Sequence, residues 1–570
     1  MKKSLLFAGL VAMGLAVSAQ NPYAYNASTS DVEGTDVPVT YSLNAPAERV
    51  IVDFIDGTGT VAKSVELDAE YLTAGEHTAL VSLEELTAGA EYTLALRVKG
   101  AAIESPQFKL MDIFWSPYGI AVDNDPMSKY FGRMLVTECQ PTVNNNGSYY
   151  TSLAGTTGVG VGIYVYDPQL NRVANPDGKY GYVGDPNIQT SYAYADYTAA
   201  GEYTGNTFSL KKVRISKDGR IFVGGLDVKN GQPLWEVNPD NLADWSPIFV
   251  GEKSKYEDTG YDCNLYNEDG DFVAGYSACF AVIGEGDNLK LTNLSCTRGQ
   301  TFSYGAYKMY EYPLGTATTW NAAVTDEDEV FALSGQYTIS AQSVSIDYDP
   351  NGNIWWAQYR GSPNESQPSI KHASKNADGE WEEDYSIING DDYPGYTFNR
   401  GGGIACSLDG SQVAFSKGNQ NVTIFDVTYD EFGAPTLTES LNISTPSGNH
   451  TGIRGFNDLA WDYAGNLYAC DNGWETLFCI QVPRTAAAPA GMKRAEGDDP
   501  NEVSTPLRPE FNITVPDDVN TGVSNISSKV VESVQYINMN GQVSNVPFDG
   551  VNVVITKYAD GTKSTTKIVK

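Results

Sequence analysis

The chain has 570 residues, with 71 acidic and 37 basic side chains and a formal net charge of −34. Its length exceeds that of one ordinary domain and predicts two to four folded units. The acidic balance argues against nucleic acid or an anionic membrane as a partner. Aromatic and β-branched runs are interrupted by glycine, asparagine and aspartate, and helical patterns are few, so the sequence predicts an all-β protein.

The N-terminus has the pattern of a secretory signal peptide. Lys2 and Lys3 precede an apolar stretch over residues 5–17, and small residues lead to a cleavage point after Ala19. We therefore expect residues 1–19 to be removed and the mature protein to be exported to the cell surface, the extracellular medium or the periplasm. The apolar stretch is too short to span a membrane stably, and no other stretch predicts a transmembrane segment.

Residues 20–110 predict a small β-sandwich. Alternating apolar residues over 38–43 and 49–55 are typical of half-buried strands, and Asp56-Gly57 is a hairpin-turn pair. The order of the strand patterns resembles the immunoglobulin-like domain found in flagellar hook-capping proteins and in many secreted bacterial proteins. That resemblance implies a spacer or an interaction module.

Residues 111–486 carry a recurring phrase that predicts a β-propeller. A short apolar run ends in Asp, Asn or Ser, a glycine turn follows, and a second apolar run begins, as in a strand, a tight turn and a strand. The polar side chain that ends the first run can accept hydrogen bonds from backbone N–H groups of the turn, which gives the phrase a structural cause. The run-ending positions are Asp123, Ser216, Asn267, Asp347, Ser407 and Asp462.

The spacing of the run-ending positions sets the expected number of blades. Successive positions are 93, 51, 80, 60 and 55 residues apart. A four-stranded blade needs roughly 40–50 residues, so the two longest gaps imply insertions or an unrecognised blade. Six blades are the first choice and seven the alternative. The segment 119–123, Gly-Ile-Ala-Val-Asp, resembles the repeat of NHL propellers, and 119–138 is similar to a propeller type of secreted Bacteroidetes proteins.

The end of the chain changes character twice. Residues 487–522 lack apolar periodicity and predict a linker. Strand patterns return over 523–570, including a glycine-led strand at 550–555. This segment resembles the C-terminal sorting-type β module of secreted Bacteroidetes proteins, although its extra Asp560-Gly561 hairpin departs from that pattern. The resemblance implies export to the cell surface or the medium.

The geometry of a propeller places a candidate ligand site on its axis. Loops that enter the innermost strand of each blade meet loops that leave the second strand at one end of the ring. The side chains predicted there mix both charges with aromatic rings, which suits a polar ligand such as a glycan. They are Tyr118, Glu138, Lys211, Asp227, Gln342, Arg360, Arg400, Lys417, His450, Arg454, Asn457, Asp471 and Trp474.

Two features bear on metal binding. Glu138 and Asn457 occupy places loosely similar to two metal ligands of the sugar-lactone hydrolase propellers, but the other ligands of that family have no counterpart here. The segment 347–352 resembles the start of a calcium loop, yet its twelfth position is Gln358 rather than Glu. No cofactor is therefore predicted, and calcium stays open as an alternative.

The cysteines and one tryptophan pair have structural interpretations. Seven cysteines are scattered without a Cys-x-x-Cys pair, so buried thiols are expected. Disulfides between Cys263 and Cys279, or between Cys470 and Cys479, are the alternatives in an oxidising compartment. The adjacent residues Trp355 and Trp356 lie on one predicted strand and should face opposite sides, as blade-packing residues.

These features favour a secreted or cell-surface β-propeller that binds a glycan or a protein at an axial funnel. The first alternative is a metal-dependent hydrolase or lyase that acts on a sugar or lactone at the same site. The second alternative is a structural spacer. No catalytic residue is identified, so the sequence favours binding and leaves enzymatic activity and oligomeric state open.

Overall fold

The structure is a computed structural model, and the residues it describes form an all-β protein. The helical turns among them are short 3₁₀ segments at Ala69–Tyr71, Gly286–Asn288, Asp326–Asp328 and Pro509–Phe511. Within these described ranges no helix has both the length and the apolar character needed to cross a membrane. The described residues are 19–114, 117–138, 162–176, 178, 180–182, 209–226, 233–253, 265–275, 279–295, 307–333, 344–358, 368–388, 402–418, 421–431, 433–444, 456–471, 476–484, 499–517, 531–538, 540–558 and 563–570.

The N-terminal residues form two antiparallel sheets around one apolar core, which we call the two-sheet unit. Its first strands are β1 (Ala24–Thr29), β2 (Asp36–Leu43), β3 (Arg49–Ile55), β4 (Val61–Glu66), β5 (Gly75–Ser82) and β6 (Glu91–Lys99). One sheet has the order β1-β2-β5, and the other contains β6-β3-β4. Because side chains alternate along a strand, Val37, Val39 and Tyr41 of β2 enter the core together with Val50 and Val52 of β3.

The next region consists of four-stranded antiparallel sheets that follow one another along the chain. Its strands are β7 (Gln107–Ile113), β8 (Pro117–Val122), β9 (Met134–Glu138), β10 (Gly162–Tyr166), β11 (Arg172–Val173), β12 (Ser209–Ile215), β13 (Ile221–Leu226), β14 (Leu234–Val237), β15 (Trp245–Pro247), β16 (Glu252–Lys253), β17 (Leu265–Tyr266), β18 (Phe272–Ala274), β19 (Phe280–Ile283), β20 (Lys290–Ser295), β21 (Tyr307–Tyr312), β22 (Glu329–Leu333), β23 (Val344–Tyr348), β24 (Ile354–Gln358), β25 (Pro368–Lys375), β26 (Trp381–Ile388), β27 (Ile404–Cys406), β28 (Gln412–Gly418), β29 (Asn421–Tyr429), β30 (Pro435–Ser444), β31 (Asp458–Trp461), β32 (Asn466–Asp471) and β33 (Thr476–Gln481). The sheets are β8–β11, β12–β15, β19–β22, β23–β26 and β27–β30, and a further sheet has the order β31-β32-β33-β7. Strands β16–β18 form a separate three-stranded sheet.

The first strands of these four-stranded sheets form a closed ring. Strand β8 packs beside β12, β12 beside β19, β19 beside β23, β23 beside β27, β27 beside β31, and β31 beside β8. Gly119 permits one of these approaches, because a Cβ atom there would lie 2.5 Å from the Lys211 backbone oxygen. Sheets that radiate from a closed ring of inner strands define a β-propeller. Strand β7 completes the last sheet and so joins the two ends of the region.

Apolar layers between neighbouring sheets hold the ring together. Trp355 packs with Ile404 and Phe415 of the following sheet. Trp356 points to the other face of the strand and packs in a different core cluster, which contains Ile346 of its own sheet. Both indole rings are buried. The predicted blade-packing role of the adjacent tryptophans is therefore confirmed.

The recurring phrase of the sequence predicts a hairpin turn, but it does not show whether the strand before the turn is an inner strand of the ring. Asn267 shows this, because its side chain accepts N–H groups of Asp269 and Asp271 in the turn between β17 and β18, outside the inner ring. The inner strand of that part of the chain is β19, which the phrase did not identify. Asn267 therefore closes a hairpin turn, as the phrase predicts, but the strand that it ends is not an inner strand.

One run-ending residue is also displaced by two positions. In the β23–β24 hairpin the turn is held by Asp349, whose Oδ1 accepts the N–H groups of Asn351 at 2.8 Å and Asn353 at 3.0 Å. Asp347 lies earlier, inside β23, and its Oδ2 accepts the N–H of Cys406 on the neighbouring inner strand at 2.8 Å. Asp347 therefore connects two sheets instead of closing a turn.

The predicted linker 487–522 contains two strands, and that part of the prediction is wrong. Strands β34 (Glu502–Pro506) and β35 (Ile513–Thr514) both pair with β6 and complete the second sheet of the two-sheet unit. The Glu502 carboxylate lies 2.6 Å from an Arg49 nitrogen and 2.8 Å from an Arg97 nitrogen. Local periodicity could not show this pairing, because the strands meet partners about four hundred residues away in the chain.

The C-terminal residues form a separate four-stranded sheet. Its strands are β36 (Val531–Asn538), β37 (Val543–Ser544), β38 (Val551–Tyr558) and β39 (Lys563–Val569), in the order β37-β36-β38-β39. The strands fall inside the predicted segment 523–570.

The described cysteines are free and buried. Cys279, Cys406, Cys470 and Cys479 are thiols. The alternative disulfide between Cys470 and Cys479 is wrong, because Cys470 lies opposite Leu477 and Cys479 opposite Tyr468 in paired strands. Cys263 lies outside the described residues.

Candidate functional site

The axis of the ring has two ends with different surroundings. We call the end where the inner strands begin the starting end and the end where they finish the finishing end. The sequence placed its candidate site at the starting end. The structure brings together a different set of residues at the finishing end.

The described members of the predicted site are buried at the starting end. The Lys211 ammonium lies 3.6 Å from the ring centroid of Tyr118, a cation–π contact between neighbouring inner strands. Glu138 lies opposite Pro117 in the pairing of β8 and β9, and Asp471 lies opposite Thr476. These side chains and that of Asn457 are buried, and they pack within the protein.

The remaining predicted site residues are placed only in part. Lys417 lies on strand β28. The others lie outside the described residues, and they are Asp227, Gln342, Arg360, Arg400, His450, Arg454 and Trp474.

A buried cluster of charged side chains occupies the axis below the starting end. The Asp458 carboxylate accepts Lys212 Nζ at 2.8 Å and Arg214 Nη1 at 2.7 Å, and it also accepts the Ser345 hydroxyl at 3.0 Å. Lys212 Nζ further donates to the Asn457 backbone oxygen at 2.6 Å. We call Lys212, Arg214, Ser345 and Asp458 the axial cluster. Their side chains come from three different sheets, so the cluster ties the ring together across its axis.

The electrostatics of the axial cluster favour the charged forms of Asp458 and Arg214, whereas burial lowers the pKa of Lys212. Burial alone would favour the neutral acid, but Arg214 and Lys212 hold the pKa of Asp458 below its ordinary value. Burial likewise opposes the Arg214 charge, and Asp458 more than offsets this and raises the pKa of Arg214. Since one carboxylate faces two cations, a second acidic group nearby is electrostatically favourable.

A funnel of about 640 Å³ opens at the finishing end, directly below the axial cluster. Its walls come from the last residues of all the inner strands and from the turns that follow them. Most of the wall is apolar, and its charged residues are Asp125, Arg214, Lys217, Asp347 and Asp349. The lining residues are Ile120, Ala121, Val122, Asn124, Asp125, Pro126, Arg214, Ile215, Ser216, Lys217, Val282, Ile283, Gly284, Asp347, Tyr348, Asp349, Pro350, Ala405, Cys406, Ser407, Leu408, Leu459, Ala460, Trp461, Tyr463 and Pro506.

Asp347 is the half-buried carboxylate on the funnel floor. Its Oδ1 accepts the Tyr348 N–H at 3.0 Å and its Oδ2 accepts the Cys406 N–H at 2.8 Å. Burial raises the pKa of Asp347 to about 6, although Arg214 and these N–H groups act in the opposite direction. At neutral pH the group is therefore mostly ionised, and its charge is sensitive to mild acid.

A buried histidine network supports the wall beside Asp349. His372 Nδ1 lies 2.6 Å from an Asp384 oxygen, and its Nε2 lies 3.7 Å from an Asp349 oxygen. The Tyr429 hydroxyl donates to the same Asp349 oxygen at 3.1 Å. Burial lowers the pKa of His372, but the two carboxylates more than compensate and raise it above the ordinary value.

The two-sheet unit packs at the mouth of the funnel. Pro506 of β34 is part of the funnel wall, and the Tyr463 hydroxyl donates to the Ser504 backbone oxygen at 2.7 Å. The rings of Tyr23, Phe131 and Tyr463 pack edge to face in sequence, with centroid separations of 5.5 and 5.1 Å. The funnel thus lies where the propeller meets the two-sheet unit, a common position for ligand sites.

The described residues do not assemble a metal centre. No group of three or more His, Cys, Asp or Glu side chains among them is arranged to hold a metal ion. In the segment that resembles a calcium loop, Asp349 oxygens accept N–H groups of the turn, and Asp347 accepts the N–H of another sheet. The two carboxylates therefore serve separate hydrogen-bonding roles.

Sequence reasoning missed Arg214, Trp461 and Tyr463 as site residues. One signal was present, because Lys212 and Arg214 are two residues apart on the inner strand β12 and so share one face. Two cations on the same face of a buried strand require a carboxylate partner, which is Asp458. The position of Pro506 had no such signal, since it depends on the docking of β34.

Comparisons with known proteins leave the family open. No family model and no curated protein matches the chain. A solved structural-genomics protein of unknown function from Bacteroides thetaiotaomicron is similar, with a TM-score of 0.37 and 10% identity over 80% of this chain and 98% of that chain. The β-propeller domain of Cps50 (Swd1) from Myceliophteria thermophila has a TM-score of 0.30 and 9% identity over 81% and 99%. A luciferin-regenerating enzyme has a TM-score of 0.35 and 9% identity over 68% and 97%.

These TM-scores are low, so the class of the protein follows from its own strand pairing. The closed ring of inner strands and the last sheet completed by β7 define a β-propeller protein. The chain adds a two-sheet unit, built from residues on both sides of the ring, and a C-terminal four-stranded sheet.

Proposed function

We propose that this protein is an exported, six-bladed propeller that binds a small organic ligand, about the size of a sugar, in the funnel at the finishing end. The observation that carries this proposal is the funnel itself, which combines a volume of about 640 Å³ with apolar walls and a few polar floor groups. Small-ligand sites are typically concave and mostly apolar, with volumes of roughly 300–1,000 Å³.

The inner ring supports the blade number in this proposal. Six inner strands contact one another in cyclic order in the described part of the chain, and each begins a four-stranded sheet. The 93-residue gap in the recurring phrase is then an insertion, whereas the 80-residue gap contains the blade β19–β22, whose inner strand the phrase did not identify. The signal-peptide pattern supports export, and the sorting-type resemblance supports a final location at the cell surface or in the medium. The two-sheet unit serves as the immunoglobulin-like module in this proposal.

The site favours a small ligand over a protein surface. A cavity of about 640 Å³ that is lined by residues of the six inner strands can hold a small molecule, whereas protein partners usually need a broad area of contact. A glycan end or a single sugar fits this description. No specific observation favours the hydrolase or the spacer, so neither is proposed.

The proposal is tested by filling the funnel. Ala460 is half-buried on the funnel wall, so Ala460→Trp should occupy the cavity without removing a core side chain. Ala62→Trp is the matched control, because Ala62 lies on the exposed side of β4. Both variants and the wild type would be screened by thermal shift against monosaccharides, disaccharides and small amines, with calorimetry on every hit.

We expect at least one compound to stabilise the wild type and Ala62→Trp but not Ala460→Trp. A ligand that binds all three proteins equally would place the site elsewhere. Absence of any saturable binding to the wild type would contradict the proposed function.

A further inference from the structure

We infer that the funnel selects ligands that carry a protonated amine, which pairs with Asp347 while aromatic rings cover the rest of the molecule. This inference rests on the proposed function, because it names the chemical class of the ligand that the funnel binds. It depends on the hydrogen bonds and ion pairs that the polar groups around the funnel already make within the protein.

The cations around the funnel are already hydrogen-bonded to carboxylates of the protein. Arg214 donates through Nη1 and Nη2 to Asp458, at 2.7 and 3.0 Å, and through Nη1 to the backbone oxygen of Val213. Lys212 is held by the same carboxylate, deeper in the axis. At the rim, Lys217 lies 2.7 Å from a Glu285 oxygen. An anionic ligand would have to compete with these carboxylates for each cation.

The carboxylates of the funnel are in excess over the cations. Asp347 has no cationic nitrogen within 4 Å among the described residues, and its two oxygens each accept one backbone N–H. A carboxylate has about four acceptor positions, so acceptor capacity remains at Asp347. Asp125 and Asp349 add negative charge to the same cavity. The balance therefore favours a positive ligand group at the floor.

The aromatic residues that line the funnel have their polar atoms engaged within the protein. Trp461 Nε1 donates to the Ala405 backbone oxygen at 3.1 Å, and the Tyr463 hydroxyl donates to Ser504. The Tyr348 hydroxyl is hydrogen-bonded to Thr292 of the neighbouring sheet. With these groups engaged elsewhere, the rings contribute apolar contact and cation–π attraction. Polar recognition of the ligand then falls to the Asp347 carboxylate.

The chemistry predicts a specific pH response. Arg214, Asp458 and the Cys406 thiol are the charged or titratable groups that face Asp347 from the neighbouring strands. Since burial raises the pKa of Asp347 to about 6, the carboxylate gains a proton as the pH falls through that value. Amine binding should therefore weaken in mild acid, where the amine itself stays protonated.

The experiment compares two matched pairs of probes by calorimetry with the full mature chain. Benzylamine is paired with benzyl alcohol, and glucosamine is paired with glucose, so that charge and molecular body vary separately. Each probe is titrated into the wild type, Asp347→Asn and Asp378→Asn, where Asp378 is an exposed turn residue and serves as the matched control. Circular dichroism and the melting temperature establish that each variant is folded.

We expect each amine to bind the wild type and Asp378→Asn about tenfold more tightly than its neutral partner, and Asp347→Asn to lose that preference. In the wild type, benzylamine affinity should fall about tenfold from about pH 8 to about pH 5. The pH titration keeps the inference testable if Asp347→Asn fails to fold. Equal binding of amines and neutral partners, abolished by Ala460→Trp, would overturn the amine inference and leave the proposed function intact. No binding of any probe would overturn both.

Discussion

The two ends of the propeller axis differ in how their polar side chains are used. At the starting end, Lys211 covers the Tyr118 ring and Glu138 is buried, so the described groups contact protein. At the finishing end, Asp347 faces a cavity and the cations near it are paired with carboxylates. In any propeller, loops from all the blades meet on the axis at both ends. Among the described residues, the groups at the starting end pack against protein and a cavity is seen at the finishing end.

The axial cluster separates the two ends, and breaking it should give the largest effect. Asp458→Ala would leave Lys212 and Arg214 buried without their carboxylate, and we expect the free energy of unfolding to fall by about 3–5 kcal/mol. Urea denaturation measures this change. Glu285→Ala is the control at the rim, where both partners of the Lys217 pair are more than half exposed, and its effect should stay below about 1 kcal/mol. Equal losses in the two variants would contradict the buried cluster.

The docking of the two-sheet unit distinguishes the finishing end, and Tyr463 is the residue to test. Tyr463→Ala removes a buried ring that contacts Phe131 and should cost about 3 kcal/mol. Tyr463→Phe removes only the hydrogen bond to Ser504 and should cost about 1 kcal/mol. Denaturation measures both, and limited proteolysis within the two-sheet unit should accelerate only for Tyr463→Ala. Unchanged proteolysis would mean that the ring does not hold the unit at the funnel mouth.

Ligand binding by variants at the two ends of the axis tests directly which end holds the site. With a compound that binds the wild type, Lys211→Met at the starting end should change the dissociation constant by no more than about twofold. Ala460→Trp at the finishing end should raise it at least about tenfold, which corresponds to about 1.4 kcal/mol. Calorimetry on both variants gives the two values. The reverse ranking would restore the site that the sequence predicted.

The smallest expected effect is a pH dependence at the funnel wall. The pKa of His372 is raised in the folded protein, so its charged form contributes stability below the ordinary histidine pKa of about 6.5, and this contribution is lost as the pH rises through the folded value. The difference in unfolding free energy between wild type and His372→Gln should therefore be larger near pH 6 than near pH 9. Denaturation curves at the two pH values measure it. A difference that grows with pH would show that His372 is neutral in the fold.

Local chemistry was predictable from the sequence, and long-range placement was not. Alternation correctly put Trp355 and Trp356 on opposite faces of a strand. The recurring phrase correctly marked hairpins, but the same turn chemistry occurs at Asn267, away from the ring, and so it could not identify every inner strand. An Asx-type turn depends on a few neighbouring residues, whereas membership of the ring depends on contacts across the axis.

The apolar periodicity of the sequence could not show at which end of the axis the ligand site lies. Asp347 was noticed as an acidic residue, yet its neighbours Arg214 and Trp461 come from strands far away in the chain. The docking of β34 onto β6 also brings Pro506 to the funnel, and no local pattern in 487–522 indicated this pairing. What remained hidden was therefore the set of contacts made by segments far apart in sequence.

The most direct test is a crystal structure of the mature protein soaked with benzylamine. We expect ligand density in the finishing-end funnel, with the ammonium beside Asp347 and the ring against Trp461. Density at the starting end, beside Lys211 and Tyr118, with the funnel left unchanged, would contradict the account.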